Sequence, residues 1–253
     1  MLKNLKYIKR KYLRSFRRFL PKKNFSFFIL SGMNKGKRIF TNLHDYPSAI
    51  LGTTESDLLL WFSNNISKNE NWLDIGANYG YTVIGINNNI GANGTIYAFE
   101  PVKSTFDALN ETISKNSMNN VKSYCLGLSN DNQLTKKNFN QTRGMLTSES
   151  LSSDLEVSLI SFDSLFEGKK IKKIHGIKID VDGPELDVLL GLKKLILKDK
   201  PVIIIEVHDQ SFDKVKNLLL KYGYKKYEII YKPFYATNQS LENSNLVFHH
   251  EKK

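Results

Sequence analysis

Apolar and polar positions follow two rhythms along this chain. From Trp72 onward, short apolar runs alternate with stretches of 3.6-residue period, which predicts βαβ units and a parallel sheet. Strands are predicted at 72–75, 95–99, 121–126, 174–181 and 202–207, with helices at about 80–89, 104–115, 184–197 and 211–222. Residues 225–231 and 246–249 read as a late hairpin, which is expected to put an antiparallel strand at one edge of the sheet. Upstream, 55–66 reads as an amphipathic helix with Leu58, Leu59, Trp61 and Phe62 inward. Residues 25–30 and 38–41 read as an edge hairpin turning near Gly36. The Asn-, Ser- and Thr-rich stretch 130–156 has no clear period and is expected to be a lid or binding loop.

The N-terminus has a different pattern. Leu5, Ile8, Tyr12, Phe16 and Phe19 form one helical stripe, widened by Leu13 and Leu20, and Pro21 ends it. Lys3, Lys6, Arg10, Lys11, Arg14, Arg17 and Arg18 cover the remaining surface. This pattern predicts an interfacial helix, in which residues 1–23 meet an anionic membrane surface. Packing on the body or on a partner subunit, and binding of nucleic acid, are the alternatives. Charge sharpens the picture. The net charge is +12, yet residues 1–40 hold 13 Lys and Arg and no acid, so the remaining 24 basic residues face 25 acidic ones. The body is near neutral, and the excess positive charge belongs to the tail.

At 253 residues and 41% hydrophobic content, the chain suits one large domain with an extension. The expected division is a basic amphipathic helix at 1–24, a short lead-in at 25–52 and the main domain at 53–253. A single cysteine, Cys125, excludes a disulfide framework and a cysteine zinc site. No apolar run has membrane-spanning length, and no apolar core follows the N-terminal charges as in a secretory signal. A cytoplasmic protein is expected, with peripheral attachment at the inner face of a membrane if the tail binds lipid.

Candidate chemistry gathers at the strand ends. Asp74-Ile75-Gly76-Ala77-Asn78-Tyr79-Gly80 closes the first predicted strand and opens a helix, and Glu100 follows the next strand, 20 residues after Gly80. Glycines there allow a tight turn with close ligand approach, and a carboxylate at this spacing can accept both ribose hydroxyls. The loop lacks the third glycine of a pyrophosphate cradle. Asp74 would repel a pyrophosphate but can meet an ammonium group, which favours S-adenosylmethionine over NAD. Farther along, Lys178, Asp180 and Asp182 end the fourth strand, and Glu206 and His208 end the fifth. Pairs two apart share a strand face, so these groups are expected to converge beside the nucleotide loop. Glu185 reads as a carboxylate suited to a helix N-terminus.

These segments resemble the motifs of FkbM-type methyltransferases. The matching segments run from Trp72 to Thr82, through Phe99-Glu100-Pro101, from Ile177 to Glu185 and from Ile205 to His208. The resemblance covers about residues 50–232, with Asp182 where Glu is usual and Pro184 where a small residue is usual. It implies a mostly parallel, Rossmann-like α/β sheet of the class I type and an S-adenosylmethionine-dependent O-methyltransferase. It further implies that Asp74, Gly76, Asn78 and Gly80 hold the methionine part, with Ser129 and Asn130 near the adenine. Expected acceptors are hydroxyls of sugars, glycans or glycolipids.

Methyl transfer to oxygen needs in-line alignment and a base. Asp180 or His208 is the candidate base, with Glu206 orienting the imidazole or binding a sugar hydroxyl. A Mg²⁺ ion held by Asp180, Asp182 and Glu206 ranks below direct base catalysis. The rival readings are a nucleic-acid methyltransferase using the basic tail, an NAD enzyme and a non-catalytic binding protein on the same fold.

Overall fold

A computed structural model describes residues 20–140, 145–147, 155–231, 241 and 243–250. The N-terminal stripe lies outside the described residues except for its last position, Leu20.

Parallel strands buried on both faces need continuous apolar runs, and the central strands have them. Strands β3 (Asn71–Ile75), β4 (Thr95–Phe99), β5 (Val121–Tyr124), β10 (Gly176–Ile179) and β11 (Val202–Val207) run parallel. With β12 (Tyr224–Tyr231) and β13 (Ser244–His250) they form a seven-stranded sheet of order β12-β13-β11-β10-β3-β4-β5. The late hairpin lies at one edge as expected. Its antiparallel strand, β13, is inserted one place inward, between β11 and β12.

Alternation then divides the core. Leu73, Ile75, Ile177, Ile179, Ile203 and Ile205 face one side and pack with Val188, Leu189, Ile196, Val215 and Leu219. Those partners lie on helices α6 (Glu185–Gly191), α7 (Lys193–Asp199) and α8 (Asp209–Lys221). Trp72, Ile96, Ala98, Ile204 and Val247 face the opposite side, against α2 (Ser56–Asn65) and α3 (Tyr81–Ile90). Helix α4 (Lys103–Lys115) follows β4, and the short helix α5 (Phe162–Leu165) precedes β10 in the chain.

Three expectations change. Residues 184–197 form two helices rather than one, with the break at Leu192. At the end of the first, a Cβ on Gly191 would overlap the carbonyl oxygen of Ser129, so close backbone approach requires glycine there. The 130–156 stretch contains strands β7 (Thr135–Asn140) and β8 (Met145–Thr147) and the start of β9 (Leu155–Ile160). With β6 (Gly127–Leu128) they form a second sheet of order β6-β9-β7-β8. Among the described residues, Val157 and Leu159 of β9 pack with Val102, while Lys and Asn on the partner strand hid the two-residue period. Finally, β1 (Phe25–Phe28) and β2 (Arg38–Thr41) form a separate ribbon instead of joining the main sheet. The ribbon is tied to α4: Asn116 bonds both backbone groups of Arg38, and Thr112 Oγ1 accepts from Phe40 N–H. A short helix, α1 (Pro47–Leu51), links the ribbon to α2.

The packing gives a stability test. Gly176 lies opposite Trp72 in the β3–β10 register, and a Cβ on it would overlap the indole. Trp72 itself is buried edge-on against Trp61 and Phe62. Gly176→Ala should therefore destabilise the fold by about 1–3 kcal/mol, the usual range for overpacking. Urea unfolding measures this; an unchanged midpoint contradicts the packing described.

Candidate active site

The site grows from one face of the sheet. Asp74 on β3 pairs in register with Lys178 on β10, and Lys178 pairs with Ile204 on β11. Two residues farther along, Gly76 and Asp180 follow the ends of β3 and β10, whereas Glu206 is still on β11 and pairs with Asn245 of β13. Lys178 is 2% exposed. Its Nζ lies 3.1 Å from Asp180 Oδ2 and 3.6 Å from Asp74 Oδ1. Burial alone would strip the charge from this lysine, but Asp180, Asp74 and Glu55 more than offset that and raise its pKa. Asp74 is fully buried, and burial raises its pKa against the opposing pull of Lys178. Its Oδ2 accepts from Thr82 Oγ1 at 2.6 Å, whereas Oδ1 has no hydrogen bond.

The loop after β3 is held by backbone bonds. Gly76 has φ +80°, and a Cβ on it would overlap the carbonyl oxygen of Asp180, so glycine lets the two strand ends meet. Gly76 and Ala77 N–H both donate to Phe99 O, and Gly80 caps α3 with φ +88°. Asn78 N–H donates to Glu100 Oε2 at 3.0 Å, and Val102 N–H donates to Oε1 at 2.9 Å. Glu100 is 7% exposed, and burial pushes its carboxyl up to about 7. Beside it lies a small apolar cavity bounded by Ile75, Phe99, Pro101, Leu128, Val181 and Pro184. Its lining is mostly apolar. Ser129 follows this cavity's wall; it is buried, with its hydroxyl donated to Asp131, and Asn130 is exposed. Leu128 and Gly127, rather than those two residues, line the cavity. Only their place after the third strand would have suggested them.

The loop after β10 brings three carboxylates together. Asp180, Asp182 and Glu206 each place one oxygen within 4.8 Å of the others. The strand stops at Ile179, and Asp182 takes φ +52°, so the loop turn rather than strand alternation aims it. Burial, then repulsion from Asp180 and Glu55, pushes Glu206 up to about 8. With Lys178 already on Asp180 and Asp182 exposed, this trio is a weak cage for a hard cation.

On the far side of Glu206 lies a polar cavity. Ser48, Thr54, Glu55, Tyr231 and Asn245 line it together with Glu206. Sequence reasoning missed Glu55, which looked like an ordinary residue at a helix start. It takes φ +53° at the N-cap of α2, and burial raises its pKa.

His208 has a different setting from the other candidates. A ring nitrogen accepts from the Ser211 backbone N–H, so the imidazole caps α8, and Nε2 lies 3.9 Å from Glu185 Oε1. Glu185 is 1% exposed, accepts from Gly183 N–H at 2.6 Å and leaves Oε2 without a hydrogen bond. It is thus more than a carboxylate near a helix end. His208 thus sits between the start of α8 and the Glu185 carboxylate.

Strand order, a glycine loop at the first strand end and an acid after the second define the class I methyltransferase fold. The Methyltransferase FkbM domain family matches residues 74–226, and the chain belongs to that family. The hexuronic acid methyltransferase AglP of Haloferax volcanii is 28% identical over 65% of this chain and 62% of its own length. Methyltransferase 1 of Beauveria bassiana is 24% identical over 60% of this chain and 71% of its own. Among solved structures, methyltransferase FkbM of Methylobacillus flagellatus has a TM-score of 0.52 at 16% identity, over 73% of this chain and 44% of that one. M. jannaschii TYW2 in complex with AdoMet also gives 0.52, at 14% identity over 91% of this chain and 88% of that one. The chain thus spans less than two thirds of AglP and of the M. flagellatus protein.

Lys178 is the residue whose loss should cost most. Lys178→Met would leave Asp74 buried without a counter-charge, and a destabilisation of about 3–5 kcal/mol is expected. Denaturant unfolding checks it; a loss below about 1 kcal/mol would show that the pair contributes little.

Proposed function

We propose that this chain is an S-adenosylmethionine-dependent O-methyltransferase acting on a hydroxyl of a sugar, glycan or glycolipid. The observation that carries this reading is the position of Glu206. It has the Asp180 and Asp182 carboxylates of the loop after β10 on one side, and it lines the polar cavity.

The residues present fit the cofactor. Asp74 Oδ1, buried and without a hydrogen bond, suits an ammonium group. Glu100 suits a ribose diol, and the apolar cavity suits adenine. When bound, S-adenosylmethionine supplies an electrophilic methyl group on a sulfonium. The chain's task is then to hold an acceptor hydroxyl in line and take its proton. We assign the proton to Glu206, because it lines the cavity and its oxygen lies within reach of the Asp180 and Asp182 carboxylates. Asp180, bonded to Lys178, keeps the neighbouring charge in place, and His208 and Glu185 support the loop. No step requires a metal.

Hydroxyls and an amide along the cavity suit a polyhydroxylated acceptor, and the name of AglP, a hexuronic acid methyltransferase, supports the sugar reading. Among the described residues no Lys or Arg lines this cavity, which disfavours a nucleic-acid backbone there.

Two outcomes are expected. Adenosylhomocysteine should bind in preference to NAD, and its affinity should rise from about pH 6 to about pH 8. The reason is that Glu100, raised to about 7, must ionise to accept both ribose hydroxyls. Glu100→Gln should weaken binding and flatten that dependence; calorimetry showing NAD binding alone would contradict the assignment. Glu206→Gln should lower kcat by roughly a hundredfold with little change in adenosylhomocysteine affinity. Transfer of labelled methyl groups to a panel of sugars, lipid-linked glycans and RNA reads both rate and acceptor class. Unchanged turnover by the variant excludes Glu206 as the base, and labelling confined to RNA overturns the sugar reading.

A further inference from the structure

The methyl-transfer chemistry uses none of the ribbon's outer surface, yet that surface has a distinct composition. Ile39 and Ile29 point inward and are buried, and Phe27 packs on the same cluster. By alternation, Phe28 and Leu30 point outward, and they are 54% and 59% exposed. Arg38 sits opposite Phe28 in register, with its guanidinium 4.2 Å from the ring centroid.

The turn beyond brings Met33, 50% exposed, and Leu51, 51% exposed, into the same neighbourhood. Leu30 N–H donates to Ile50 O, and a Cβ on Gly32 would overlap the carbonyl oxygen of Gly52. Cations surround these side chains. Residues 20–44 hold Lys22, Lys23, Lys35, Lys37 and Arg38 and no acid. The nearby acids of α4, Asp107 and Glu111, are paired with Lys103 and Lys115.

We infer that this ribbon, with the end of α1, is a docking face for an anionic lipid bilayer. Exposed Phe, Leu and Met side chains would enter the interface, and lysines and an arginine at its rim would meet lipid phosphates. Charge complementarity selects this occupant, because a second copy of the chain would bring the same positive rim against itself. The face also adjoins the polar cavity. Leu51 lies between Ser48 and Thr53, and both of those line it. Docking would therefore present the cavity to an acceptor carried in the membrane.

Co-sedimentation of the full chain with vesicles decides this. One set contains phosphatidylglycerol and phosphatidylcholine in equal parts, and the other phosphatidylcholine alone. The full chain should pellet with the first set and remain in solution with the second. Phe28→Ser with Leu30→Ser should reduce pelleting by at least about tenfold, and Met33→Ser with Leu51→Ser should do so independently. Unchanged melting and adenosylhomocysteine affinity establish that both variants are folded. Pelleting of folded variants equal to that of the full chain would overturn the proposal, as would absence of full-chain binding to anionic vesicles. A concentration-dependent dimer abolished by the same substitutions would assign the face to a second copy and also overturn it. Lipid binding is read without turnover, so its failure leaves the methyl-transfer reading intact.

Discussion

A buried ammonium ion holds this site together. Lys178 lies in the middle of a parallel sheet, where an uncompensated charge is not tolerated, and its register neighbour on β3 is an equally buried aspartate. Neither residue makes sense without the other. Removing one leaves a bare charge in the core, so the pair ties the nucleotide loop after β3 to the carboxylate loop after β10. Asp180 completes the arrangement as the exit from the core: it accepts from the same ammonium while half-exposed to the site.

From that centre the functions separate in space. Toward β4 the chain offers Glu100, two backbone donors that hold it and an apolar cavity. Toward β11 and β13 it offers Glu206, Asn245 and a polar cavity closed by Glu55. On the proposed reading a cofactor side and an acceptor side meet at the ends of β3, β10 and β11, where ligands of open α/β sheets bind. At the helix starts behind them stand His208, the N-cap of α8, and Glu185, the first residue of α6, which accepts from Gly183 N–H.

Much of this was legible in the sequence. The parallel strands announced themselves as apolar runs, and Asp74, Gly76, Glu100, Lys178, Asp180 and Glu206 stood at strand ends where alternation gives them a common face. What escaped had physical reasons. The second sheet hid because Thr135–Asn140 presents Lys and Asn on a ladder that needs little apolar surface. Glu55 hid because its role comes from a left-handed backbone turn, which no periodicity announces. The place of His208 at the N-cap of α8, beside Ser211 and Glu185, becomes visible only when the turn is built. The cavity residues Leu128, Val181 and Pro184 come from separate loops that the fold brings together.

The central claim is that the carboxylates arranged around Lys178 face the reacting end of the cofactor. A crystal structure of the adenosylhomocysteine complex tests it most directly. The account predicts the amino group of the homocysteine moiety against Asp74, ribose hydroxyls on Glu100, and the sulfur directed toward Asp180 and Glu206. A nucleoside bound away from Glu100, or a sulfur turned from the polar cavity that Glu206 lines, would contradict it.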